Sequence, residues 1–253
     1  MPSNLPLKGK TILLTGTSKT TTIVENITAL GGHAIVAPLI ETCERLDSKD
    51  PELLNRAKQY DWLIFTSQNA VEAFASKMLR HQFNASHFKG KIASIGTKTT
   101  TALENLGFQV SFMPSIFSAD IFVKEFPSVA GDQPKCLFIR GEKAKSTLKD
   151  GLPFELKEWT VYETIERHDQ TSVIVSCIQQ HQNVTVIFAS PSAVDVYAME
   201  VVPHIGWEAA HIAAIGHITE AALEQYGATV DIMPSVYTMQ AVIEEIMKVG
   251  DKS

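Results

Sequence analysis

The sequence predicts an α/β protein made of two similar doubly wound parallel-sheet domains, one inserted in the other and joined by a two-stranded linker. Three observations predict it. Short apolar runs of strand length alternate with stretches of helical length, the pattern of a parallel sheet with helices on both faces. The alternating set occurs twice, with its pieces in cyclically shifted order. Two extended segments carrying the same Glu-Thr pair, Glu41-Thr42 and Glu163-Thr164, lead into and out of the inner set.

The apolar runs are 11–15, 62–65, 92–95, 137–139, 185–189 and 212–215. Their length and β-branched content read as strands, and their near-continuous apolarity as strands covered on both faces. The repeat is explicit. DWLIFTSQNAVEAF (61–74) matches VTVIFASPSAVDVY (184–197), with Phe65 against Phe188, Ser67 against Ser190, Ala70 against Ala193 and Phe74 against Tyr197. KIASIGTKTTTALENLGFQVSFMPS, from Lys91, matches HIAAIGHITEAALEQYGATVDIMPS, from His211, and TILLTG before residue 17 matches CLFIRG before residue 142. Self-similarity at this scale identifies two copies of one structural unit.

The order of the pieces gives the domain map. Residues 1–37 supply strand–helix–strand, too little for a domain, and are completed by 169–253. Residues 47–157 make the second domain by themselves. The segments 38–46 (PLIETCERL) and 157–167 (KEWTVYETIER) are the linker strands. Each domain is then a five-stranded, flavodoxin-like unit.

Composition narrows the function. The 253 residues are 45% hydrophobic and 20% charged, which is ordinary globular chemistry. A net charge of −6 argues against nucleic-acid binding, and no apolar stretch is long enough to span a membrane. MPSNLPLKGK has no signal-like run, so the expected location is cytoplasmic; the state expected alongside is a monomer. Cys43, Cys136 and Cys177 are too scattered for disulfides or a metal site and read as buried apolar thiols. No dinucleotide fingerprint, P-loop, zincin or nucleophile-elbow motif occurs, so no cofactor is expected.

In open parallel sheets ligands collect at the carboxyl ends of the strands. Here those ends carry hydroxyls, glycines and helix starts: Thr15 and Gly16 with Thr17, Ser18, Lys19 and Thr20; Thr66 and Ser67; Gly96 and Thr97; Arg140 and Gly141; Ser190 and Ser192; Gly216, His217 and Thr219. Helix starts offer free N–H groups and a positive dipole end, which suit carboxylates. The bland alternative is that the hydroxyls only cap helices and the glycines only permit turns. The stretch RGEKAKSTLK (140–149) is a local cationic patch, and a solvated helix face accounts for it as well as a ligand site does.

FTSQNAV, IGTKTTTAL, WTVYETI, FASPSAV and IGHITEAAL, in this order, resemble the uroporphyrinogen-III synthase family, and the resemblance runs from Thr11 to about Met247. It implies two α/β domains with the active site in a cleft between them. It also implies a reaction: hydroxymethylbilane loses the hydroxyl of its first ring to give an azafulvene. The last ring attacks through its substituted carbon to give a spiro-pyrrolenine, and fragmentation and reclosure yield uroporphyrinogen III with that ring inverted. The family's important tyrosine falls at Tyr162 in WTVYETI, where a phenol, protonated at neutral pH, can donate to the departing hydroxide. The substrate carboxylates would go to Thr15, Thr66, Ser67, Gly96, Thr97, Arg140, Gly141, Ser190, Ser192, Gly216, His217 and Thr219. The resemblance is compatible with a transient contact with the preceding pathway enzyme. Gly16 stands where many relatives carry an arginine, with Lys19 as the nearby substitute. The rival readings are a non-catalytic tetrapyrrole-binding module on the same scaffold and a binding protein for another polyanion.

Overall fold

The computed structural model describes residues 5–17 and 20–249. The chain divides into two compact units, one of Met1–Glu41 with Ile165–Ser253 and one of Thr42–Thr164. In chain order the strands are β1 (Thr11–Leu14), β2 (His33–Val36), β3 (Ile40–Glu44), β4 (Trp62–Phe65) and β5 (Lys91–Ser94). They continue with β6 (Val110–Phe112), β7 (Cys136–Gly141), β8 (Leu156–Glu166), β9 (Val184–Phe188) and β10 (His211–Ala214).

The first unit holds a parallel sheet in the order β10-β9-β1-β2, with Thr11 opposite both His33 and Val184 and with Thr185 opposite His211. Successive side chains of a strand point to opposite faces, and both faces are buried. Leu13, Val186 and Phe188 pack with the helices Thr171–Gln180, Pro191–Glu200 and His217–Gln225 through Ile174, Tyr197 and Leu223. Ile12, Leu14 and Ile187 pack on the other face with Thr21–Ala29 and Met239–Lys248 through Ile27, Ile243 and Ile246. Helices on both faces account for the unbroken apolar runs. The sequence reading expects a fifth strand near Ile232. The structure holds only a bridge from Ala213 to Ile232 there. The Asp231 carboxylate accepts the Ile212 N–H at 3.0 Å, and Pro234 has no N–H to extend a ladder.

In the second unit the order is β3-β8-β7-β4-β5-β6. β4 to β8 are parallel, with Trp62 opposite Lys91 and Cys136, and Cys136 opposite Leu156. β3 lies at the edge. Arg45 N–H donates to Val161 O and Arg167 N–H to Leu39 O, so partner numbers fall along β8 as they rise along β3 and the pair is antiparallel. One core face gathers Leu63, Phe65, Ile139 and Trp159 under the helices Gln68–Arg80 and Thr97–Asn105. The other gathers Trp62, Ile64 and Phe138 with the packed rings of Phe122 and Phe126. Reading β7, β8, β4, β5 and β6 as the counterparts of β1, β2, β9, β10 and the bridge, both sheets have the same spatial order. The cyclic shift seen in the sequence therefore alters connectivity and preserves architecture, and the α/β fold class holds. Among the described residues no helix is long and apolar enough to cross a membrane.

Candidate active site

A doubly wound sheet opens a crevice where its strand order reverses, at the carboxyl ends of the two strands that flank the reversal. In the second unit those strands are β4 and β7. β4 ends at Phe65 and hands the chain through Thr66 to Ser67, the N-cap of Gln68–Arg80. The Ser67 backbone is extended and its Oγ accepts the Ala70 N–H at 3.2 Å. β7 ends in Arg140 and Gly141. Tyr162 projects beside them from β8. Its hydroxyl lies 3.3 Å from Ser67 Oγ, a contact in which either oxygen can donate.

The register explains how Tyr162 arrives there. Arg140 sits opposite Thr160 but Gly141 sits opposite Tyr162, so β8 carries an extra residue at this point. A bulge of this kind re-aims a side chain. Val161 and Tyr162, although consecutive, both pack on the same core face. The Tyr162 ring lies so close to the Gly141 backbone that a Cβ added there would stand 2.3 Å from Cζ and 2.6 Å from Oη. Only glycine leaves that space.

Arg140 is committed to structure. Its guanidinium pairs with Glu158 and donates to the Ala144 carbonyl, and its Nε donates to Gly141 O at 3.1 Å. The turn after β7 is thereby braced. Thr66 is half-buried behind Ser67. One strand further on, Gly96 (φ 87°) starts the helix Thr97–Asn105 and Thr97 is exposed. Behind them the Ser94 and Thr100 hydroxyls bond at 2.7 Å, and Thr100 also donates to Gly96 O.

The first unit repeats the plan at β1 and β9, its own reversal point. Ser190 caps Pro191–Glu200 as Ser67 caps its helix, and a Cβ added to Gly16 would meet the Ala189 side chain at ordinary van der Waals distance. Ser192, in the first turn, is half-buried. Thr15 is fully buried and donates to Ile187 O at 2.8 Å, so its hydroxyl ties β1 to β9. Gly216 opens the helix that starts at His217. His217 is exposed, its ring 5.3 Å from that of Tyr237, whereas Thr219 is buried at 3% exposure. Ser18 and Lys19 lie outside the described residues.

Two residues in this neighbourhood escape sequence reading. Phe117 lies over Gly96, and Tyr237 over Gly216 so closely that a Cβ on the glycine would come within 2.8 Å of the ring. Both aromatics are about half exposed, at 53% and 52%. Each stands two residues beyond a Met-Pro-Ser repeat, the signal that could have found them. Among the described residues no group of three or more side chains could hold a metal ion. A concavity of about 600 Å³ lies at the opposite, amino-terminal ends of β4 and β5, around Tyr60, Asp61, Lys89 and Lys91. The reversal point is preferred as the site because the polar groups and the aimed tyrosine converge there.

The uroporphyrinogen-III synthase HemD family model matches residues 21–244. The uroporphyrinogen-III synthase of Synechococcus elongatus is 26% identical over 94% of both chains. The chloroplastic enzyme of Oryza sativa is 26% identical, over 88% of this chain and 75% of its own. Among solved structures, a substituted uroporphyrinogen III synthase of Thermus thermophilus superposes with a TM-score of 0.67 at 13% identity, covering 94% of this chain and 98% of its own. The Helicobacter pylori protein follows at 0.64 and 17%, covering 93% and 97%; at such identities the likeness is one of fold. The family match spans nearly the whole chain, and on that ground the chain belongs to the uroporphyrinogen-III synthase family.

Proposed function

We propose that this chain converts hydroxymethylbilane into uroporphyrinogen III with loss of water and inversion of the last ring, and that Tyr162 donates the proton to the departing hydroxide. Membership of the family supports the reaction. The observation that supports the tyrosine is its aim: a strand bulge and a glycine without side-chain bulk bring its phenol to the reversal point of the second unit. Without protein the same electrophile closes directly, without inversion. The work of the enzyme is therefore to hold the chain so that the spiro attack comes first, a matter of orientation. The helix starts after β4, β5, β9 and β10 offer N–H groups for the substrate's carboxylates. The remaining elements of the reading are a cytoplasmic monomer working without a cofactor, with 1–37 and 169–253 as one domain and 47–157 as the other.

Turnover of hydroxymethylbilane with separation of the type I and type III isomers tests the reading. The wild-type protein should give type III. Tyr162→Phe keeps the ring and the fold, so its residual product should still be type III, while the rate falls by about a hundredfold or more, the usual scale for a lost general acid. Product of type I alone from the wild-type protein would reject the reaction, and an unchanged rate in Tyr162→Phe would remove the tyrosine from it.

A further inference from the structure

The seat of Tyr162 carries more than its location. Ser67 Oγ already receives the Ala70 N–H at 3.2 Å. A serine hydroxyl has one hydrogen and two lone pairs, and the cap spends a lone pair on the helix. The positive end of the helix Gln68–Arg80 favours lone pairs turned toward it and the hydroxyl hydrogen turned away. Tyr162 Oη, 3.3 Å distant, is within reach of that hydrogen. On the other side of the phenol, Gly141 sets the ring position by sterics alone, because a methyl there would stand 2.3 Å from Cζ. The backbone of this stretch is pinned as well: Glu142 N–H donates to Tyr162 O at 3.0 Å and Ala144 N–H to Gly141 O at 3.2 Å.

We propose that Ser67 and Gly141 are positioning residues for the phenol: Ser67 donates its hydrogen to Tyr162 Oη, which leaves the tyrosine's own hydrogen free for the leaving group, and Gly141 fixes the ring against the turn. The proposal rests on Tyr162 being the acid. It also assigns the two residues a role other than holding carboxylates. In the step itself, the C–O bond of the hydroxymethyl group breaks with its electron pair on oxygen. The Tyr162 O–H bond breaks, its proton joins that oxygen, and water leaves. The phenolate left behind is a pure acceptor, and a serine that already donates to it needs no reorganisation as the charge develops. The proton lost when the inverted ring regains aromaticity restores the phenol, so the cycle balances. Had the tyrosine donated to the serine, its proton would be committed away from the substrate and both hydroxyls would have to turn over in the step.

The test is a double-mutant cycle in the full chain, read as kcat and KM separately with hydroxymethylbilane. Ser67→Ala should lower kcat by roughly ten- to a hundredfold, the range for a hydrogen bond to a charged group, with KM within about twofold. Ser67→Thr keeps both cap and donor and should restore most of the rate. In a Tyr162→Phe background Ser67→Ala should cost nothing further, because the oxygen it serves is gone. Gly141→Ala should lower kcat as strongly as Tyr162→Phe does, and should have no further effect in Tyr162→Ala, where no ring is left to displace. Should Gly141→Ala fail to fold, as shown by a thermal melt, the serine cycle still decides. Equal losses from Ser67→Ala in both backgrounds would mean that the serine only caps its helix or binds substrate, and would overturn the seat while leaving the acid in place. Wild-type turnover in Tyr162→Phe would overturn both, so the two failures are distinguishable.

Discussion

Lys77 has no exposed side-chain surface, yet it lies in the apolar layer of the second unit, 5.9 Å from the Trp159 ring centroid. A buried ammonium is tolerated only when its donors are met. Here they are met by Asp50 Oδ2 at 2.7 Å, Arg45 O at 2.5 Å and Glu44 Oε1 at 3.3 Å. Glu44 in turn takes a two-pronged bond from Arg80, and that bond first, with the Lys77 charge behind it, holds its carboxyl below the usual range. A depressed carboxylate contributes stability that is present above its unfolded value and lost as pH falls through the folded one. Lys77→Met removes the centre of the cluster and strands the buried Asp50. Urea melts should show a loss of about 3–5 kcal/mol, with part of it regained on adding Asp50→Asn. The cysteines give a second check at this scale. Burial pushes the Cys136 thiol up to about 12 and raises that of Cys177, so at pH 8 almost no thiolate is available at either. A thiol-disulfide reagent should find at most Cys43, which is half-buried, in the native protein and all three thiols after unfolding. Rapid native labelling of Cys136 would contradict the packing described for it.

Among the described residues four helices begin on a hydroxyl whose oxygen accepts the N–H three residues on: Ser67, Ser118, Ser190 and Thr238. They form two matched pairs across the internal repeat, Ser67 with Ser190 and Ser118 with Thr238. If capping is the whole role of the second pair, Ser118→Ala and Thr238→Ala should each cost about 0.5–2 kcal/mol in denaturant melts and leave turnover unchanged. A rate loss in either would mean that the aromatic loops just before them, at Phe117 and Tyr237, take part in binding. The contrast between these caps and the Tyr162 seat marks how far the sequence could be read. The strands, their double-sided burial and the helix starts were legible, because each is written in a contiguous window of apolar periodicity, hydroxyl and glycine. Ser67 was legible as a candidate for the same reason, and Tyr162 through the family resemblance of WTVYETI. Their contact was not, because it depends on an extra residue in the register of β8 against β7, and register between strands about twenty residues apart leaves no local mark. The partners of Arg140 and Thr15 were illegible on the same ground. A strand-end cation or hydroxyl looks identical in sequence whether it faces a ligand or, as here, Glu158 and Ile187 O. The missing fifth strand of the first unit turned on a side chain, Asp231, competing for a ladder N–H.

Each unit has a sheet with its own pair of cores, one on each face, so the fold needs neither metal nor disulfide to reach stability at this length. The charge of the whole molecule then sets a condition on function. Lys and Arg number 22 against 28 Asp and Glu, a net charge of −6, while the proposed substrate is a polycarboxylate. The long-range field therefore opposes encounter, and in the proposed reading attraction comes from short-range groups at the strand ends. The one basic run, from Arg140 to Lys149, does less than its composition suggests, since Arg140 and Lys149 are both paired to Glu158. Salt separates the two contributions. Between about 10 mM and 150 mM ionic strength the screening length falls from roughly 30 Å to roughly 8 Å. That range removes repulsion from the distant surface while leaving N–H contacts of hydrogen-bond length nearly intact. The expected outcome is a kcat/KM that rises by about two- to fivefold across this range with kcat unchanged. A steep fall instead would mean that exposed cations such as Lys143 and Lys145 dominate capture. Charge reversal at those two lysines should then reproduce the fall at constant salt, and the carboxylates would have to be assigned to the basic run in place of the helix starts.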